Sequence, residues 1–139
     1  MENRRTFLSI AAATLLPGVL DAQTHPPATF PGNGELARHA LTGPFEGFDA
    51  VLYVLSIPAG RGESGPAHRH PGPVLGYVLE GQMRFAINHE ADQVLPAGAT
   101  FFEPSGAVHT TAGSASKDGP TRALVFMIVP KGRPLVEPA

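Results

Sequence analysis

The sequence predicts an all-β domain of the sandwich, barrel or jelly-roll kind. Short apolar runs recur about every ten residues, with no helical period between them. Gly and Pro, 16 and 15 of the 139 residues, punctuate those runs as turn formers. That length suits one domain with its own core.

The strands follow in order. Residues 49–57, DAVLYVLSI, are apolar on both parities, which predicts a strand covered on both faces. Residues 74–79 form the next, and Glu80-Gly81 reads as a tight turn into 83–88. There Met83, Phe85 and Ile87 alternate with Arg84, Ala86 and Asn88, the pattern of a half-buried strand. A short strand at 94–95 leads through the turn Pro96-Ala97-Gly98 into 99–103. Another strand covers 108–111, a polar loop covers 114–120, and the last strand, ALVFMIV at 123–129, is apolar throughout.

The first 22 residues read as an export signal. Arg4-Arg5 precedes Phe7-Leu8 and an apolar stretch over 10–20, which is too short to span a bilayer comfortably, and small Ala22 marks a cleavage point. The arginine pair resembles a twin-arginine signal, which implies a periplasmic or secreted protein. Residues 23–34, rich in Pro and Gly, read as a linker, and the β-domain occupies 35–135.

A net charge of −2 with scattered Lys and Arg argues against a nucleic-acid partner and against stable membrane association once the signal is removed. The absence of cysteine excludes disulfides and thiolate metal ligands.

The chemistry concentrates in two stretches, HRHPGPVLGYVLEG at 68–81 and GATFFEPSGAVH at 98–109. On a strand, His68 and His70 share a face about 7 Å apart. Two imidazoles so placed can share one metal ion through bonds of about 2 Å. The first stretch ends in a glycine. The second has Gly98, five residues, then Pro104, Gly106 and His109, and 16 residues separate Gly81 from Gly98. Together they resemble the two signature motifs of the cupin superfamily, in the single-domain type-2 form. The resemblance covers nearly the whole β-domain. It implies a double-stranded β-helix barrel with one metal ion inside. Carried over residue by residue, it implies His68, His70 and His109 as metal ligands.

One position departs from the family pattern. Counted back from Gly81, the motif glutamate falls on Val74, which strand parity places on the same face as the histidines. Three readings stand side by side. A three-histidine site would keep the full charge of a divalent ion and bind an anionic chelating substrate. A carboxylate from Glu103 or Glu63 would replace the lost one. A weakened site would leave the barrel a scaffold. Glu103 is the candidate acid or base if it faces the barrel. Glu80 reads as a solvated turn carboxylate, Tyr77 as facing away from the metal, and Met83, Phe85, Phe101 and Phe102 as core. His25, His39 and His89 lack ligand spacing.

The resemblance to three-histidine cupins implies an O2-dependent dioxygenase of the quercetinase or diketone-cleaving type, acting on a small chelating molecule. Fe(II) is the preferred metal, with Mn, Ni, Zn or Cu open. The alternatives are a non-catalytic metal- or ligand-binding cupin and an O2-independent metal-dependent lyase or isomerase. Strands 49–57 and 123–129 need covering on a second face, which predicts a homodimer packed through a sheet.

Overall fold

The computed structural model describes residues 33–60, 62 and 65–139. Residues 1–22, read above as an export signal, all but the last two residues of the stretch read as a linker, and Glu63 lie outside the described residues. Among the described residues, ten strands form two five-stranded antiparallel sheets. One sheet runs in the order β1 (Gly34–Ala40), β2 (Phe48–Ile57), β9 (Thr121–Pro130), β4 (Val74–Glu80), β7 (Thr100–Glu103). The other runs β10 (Glu137–Pro138), β3 (His68–Arg69), β8 (Val108–Ser114), β5 (Gln82–Ile87), β6 (Gln93–Pro96). A single 3-10 turn at Gly43–Phe45 is the one helical element among the described residues. The architecture is the double-stranded β-helix.

The inward parity of each strand builds the core. Val51 on β2, Val74 and Val78 on β4, Met83 and Phe85 on β5, Phe101 on β7, and Val125, Met127 and Val129 on β9 pack together between the sheets. Alternation is strictest on β9, where Thr121, Ala123, Val125, Met127 and Val129 are buried and the intervening residues are less so. Burying side chains of this size contributes roughly 1.5–3 kcal/mol each against the entropy of ordering the chain.

Two glycines are needed where they stand. At Gly76 on β4, an added Cβ would lie 2.0 Å from the ring of Phe101, its direct partner on β7. At Gly81, in the β4–β5 turn, φ is +78° and a Cβ would meet the hydroxyls of Ser116 and Thr121. Those hydroxyls close that end of the barrel. Thr121 Oγ1 donates to the Gln82 carbonyl at 3.0 Å, and Ser116 Oγ accepts from the Gln82 amide at 2.8 Å.

Three features depart from the sequence reading. Strand β1, GELARHA, lacks apolar alternation and sits at a sheet edge, where Arg38 pairs with Glu35 and Asp49. Strand β10 lies beyond the last expected strand and pairs with β3. Phe102 is not core: parity turns it outward, 54% exposed, while Phe101 faces in.

The outer face of the first sheet is apolar. Leu75 stands opposite both Phe102 and Phe126, and Phe126 opposite Leu52, so a row of apolar side chains crosses β7, β4, β9 and β2. Leu75, Tyr77, Phe102 and Phe126 are all exposed.

Candidate metal centre

The two sheets each bring part of the site to one cavity. In the second sheet, His68 stands directly opposite His109 across the β3–β8 pairing, and His70 follows one residue past β3. A register shift between β5 and β8 lets His109 and Ala112 both face the interior. In the first sheet, Val74 stands directly opposite Glu103 across β4–β7 and opposite Met127 across β4–β9.

The three histidines converge as the motifs implied. One ring nitrogen from each lies within 4.8 Å of the other two. Ring centroids are 5.0 Å apart for His68 and His70 and 5.1 Å for His68 and His109. His68 is half-buried, His70 keeps 11% of its side chain exposed, and His109 is buried. Backbone carbonyls orient two of the rings. His70 Nδ1 donates to the Leu135 carbonyl at 2.6 Å, and His68 Nδ1 donates to the Pro66 carbonyl at 3.1 Å. In both rings this leaves Nε2 with its lone pair free to face the cluster.

Glu103 faces the barrel and is 2% exposed. Its Oε1 lies 3.4 Å from His109 Nδ1, and its Oε2 lies 3.7 Å from His70 Nε2. Glu103 Oε2 and His109 Nε2 are buried without a hydrogen-bond partner among the described residues. A buried polar atom left unpaired costs about 1–3 kcal/mol unless something satisfies it. Two such atoms beside three convergent imidazoles fit a bound cation. Nitrogen donors with a flanking carboxylate suit a divalent first-row metal.

Burial sets the protonation of these groups. It pushes the Glu103 carboxyl up to about 7. It holds the His109 imidazole down to about 4, and the closeness of the His68 and His70 rings adds to the effect. Burial also lowers His70, against the opposing pull of the Leu135 carbonyl. His70 and His109 are therefore held toward the neutral form, the state a metal ligand requires.

The cavity holding these groups measures about 460 Å³. Apart from the histidines and Glu103, its wall is mainly apolar, with Tyr53, Leu55, Met83, Phe101 and Val125 among its lining. Among the described residues no Lys or Arg lines it. Met83 and Phe101 thus serve as core and as cavity wall together.

The remaining candidates separate from the site. Tyr77 is exposed on the outer face, as parity predicts. Glu80 is exposed and pairs with Arg122 at 2.8 Å. His39 and His89 are exposed, and His25 lies outside the described residues. Pro134, Leu135 and Val136 line the cavity although no motif marks them; the short apolar pair Leu135-Val136 was the only trace in the sequence.

Comparison with known proteins agrees with this architecture. Residues 53–127 match the model of the cupin domain. Dimethylsulfoniopropionate lyase DddQ of Ruegeria pomeroyi is 34% identical over 84 residues, which are 60% of this chain and 39% of that protein. The crystal structure of the same lyase superposes with a TM-score of 0.52 at 27% identity, covering 65% of this chain and 43% of the other. The chain thus spans about two-fifths of the length of that relative. A cupin protein from Bacteroides fragilis superposes over 94% of this chain and 90% of its own, with a TM-score of 0.51 at 21% identity, a likeness of fold. With both motifs in place, the histidines convergent inside a double-stranded β-helix and more than half of the sequence matching the family model, the chain belongs to the cupin family.

Proposed function

We propose that this protein is a metal-dependent lyase that eliminates a leaving group from a small carboxylate substrate. The observation that carries the reading is the position of Glu103, buried against His70 and His109 inside an apolar cavity. Likeness to a dimethylsulfoniopropionate lyase supports an elimination over the dioxygenation that the resemblance to three-histidine cupins implied.

His68, His70 and His109 would hold a divalent ion, with Fe(II), Mn, Ni, Zn and Cu all compatible with imidazole donors. Bound there, such an ion would supply Lewis acidity toward a substrate carboxylate, which makes the adjacent C–H more acidic. Glu103 removes that proton from the carbon next to the carboxylate. The C–H electron pair becomes a C=C bond, the bond to the leaving group on the next carbon breaks, and the leaving group departs with its electrons. The proton rests on the Glu103 carboxyl, whose affinity near pH 7 suits it to accept and later release a proton. The apolar wall limits water at the reacting carbon.

The outer apolar row through Leu75, Phe102 and Phe126 supports the homodimer reading. The arginine pair Arg4-Arg5 supports export by the twin-arginine route. A reporter whose export survives R4K/R5K would overturn that route.

The test of the activity is anaerobic incubation of the metal-loaded protein with dimethylsulfoniopropionate and shorter β-substituted carboxylates. Release of the leaving group without O2 is the expected result. Turnover only with O2, on diketones or flavonols, would restore the dioxygenase.

A further inference from the structure

The wall of the cavity includes a segment that belongs to neither signature motif. After β9 ends at Pro130, the chain turns, with the Arg133 amide donating to the Pro130 carbonyl at 3.2 Å. It then crosses the cavity, where Pro134, Leu135 and Val136 join the lining. It finishes as β10, two residues paired with β3 in the register Glu137↔Arg69 and Pro138↔His68. The strap is therefore stitched to the same short strand that carries His68 and leads into His70.

Its central contact is the 2.6 Å hydrogen bond from His70 Nδ1 to the Leu135 carbonyl, across 65 residues of sequence. The bond fixes the His70 tautomer, directs its Nε2 toward the cluster and raises the basicity of the ring. His68 gets the equivalent bond locally, from Pro66 two residues away. His70 depends on the strap. Few contacts pin it, chiefly the two-residue ladder and Leu135 packed on the core, while the Arg133–Glu137 ion pair at 2.5 Å braces the strap internally. Leu135 and Val136 are also among the cavity's apolar lining, so their size bounds the space beside the histidines.

We propose that the strap 133–138 is a positioning and specificity element of this site: the Leu135 carbonyl sets His70 for metal binding, and the Leu135 and Val136 side chains limit the length of the bound carboxylate. The proposal rests on the metal-centre reading above. Leu135 and Val136 are specificity residues, and the Leu135 carbonyl is a positioning group that acts through His70.

The experiment uses the full-length chain loaded with zinc, which is diamagnetic. In imidazole 15N spectra, His70 is expected with its proton on Nδ1 and zinc on Nε2; the reverse tautomer overturns the positioning role. R133A/E137P removes the ion pair and a ladder N–H, and should speed zinc loss to a chelator by about tenfold or more. Loss at the wild-type rate overturns the role. In L135A and V136A, competition by straight-chain carboxylates from acetate to hexanoate at the zinc should shift toward longer chains. An unchanged length preference overturns the specificity role. If wild-type protein retains no zinc, the metal-centre reading itself fails. If wild type retains zinc and the variants behave like it, only the strap proposal fails.

Discussion

Glu103 stands directly opposite Val74 on the neighbouring strand, and both face the cavity. Val74 occupies the place where the family motif carries its glutamate, and a buried carboxylate stands one strand over from that place, on β7. Lateral neighbours in an antiparallel pair have Cβ atoms about 5 Å apart, so the two places are close. Glu103 flanks the histidine group on the side of His70 and His109. It lies beside the three-nitrogen group and is not part of it, which suits the proposed role of a base.

Metal retention should depend on each histidine. H109A, H70A and H68A should each lower the metal content of purified protein from about one ion per chain to a small fraction of that. Elemental mass spectrometry reads this directly. A full complement of metal in H109A would break the assignment.

Glu103→Gln should separate binding from chemistry. The amide is nearly isosteric but cannot accept the substrate proton, so turnover should fall by about 10²–10⁴-fold. Metal content should stay near wild type. Loss of metal together with activity would instead make Glu103 a ligand.

Stability of the metal-stripped protein should pass through a maximum with pH. The Glu103 carboxyl is raised from 4.5 to about 7 in the folded state, so its stabilising influence is complete below about pH 4.5 and lost as pH rises through about 7. The His109 imidazole is lowered from 6.5 to about 4, so its influence is present above 6.5 and lost as pH falls through about 4. E103Q lacks the buried carboxylate and should therefore melt above wild type at pH 8, by on the order of 3 kcal/mol, with the gap closing toward pH 4.5. Parallel melting curves for the two proteins across that range would contradict the burial of an ionisable Glu103.

Gly76→Ala should destabilise the barrel by about 1–3 kcal/mol, because its methyl must displace the Phe101 ring. Urea unfolding reads the change. The displaced ring would also narrow the cavity, so substrate affinity should fall along with stability.

Sedimentation at micromolar concentration should show a dimer, and F102E/F126E should yield monomers that keep their metal. A wild-type monomer would leave the apolar outer row without this partner.

Much of this was legible in the sequence because strand period and glycine punctuation are local signals. The runs at 74–79, 83–88 and 123–129 lie within β4, β9 and, but for Asn88, β5. The convergence of the three histidines was legible because motif spacing encodes register, and His68 does face His109. Other features depend on tertiary pairing. Whether Glu103 pointed in or out hung on one step of parity in a four-residue strand. The same step turns Phe101 inward and Phe102 outward, and composition treats the two alike. Strand β1 is polar because it is an edge, and β10 is two residues long, so neither carries a periodic signal. The carbonyl of Leu135 is invisible in principle, since every residue but its geometry offers the same group.

The most direct test of the central claim is a side-by-side anaerobic assay of metal-loaded wild type, E103Q and H109A with dimethylsulfoniopropionate and related β-substituted carboxylates, with O2 uptake followed in parallel. Elimination by wild type without O2, and loss of that activity in both variants, is the expected result. Elimination that persists in E103Q, or turnover that consumes O2, would contradict it.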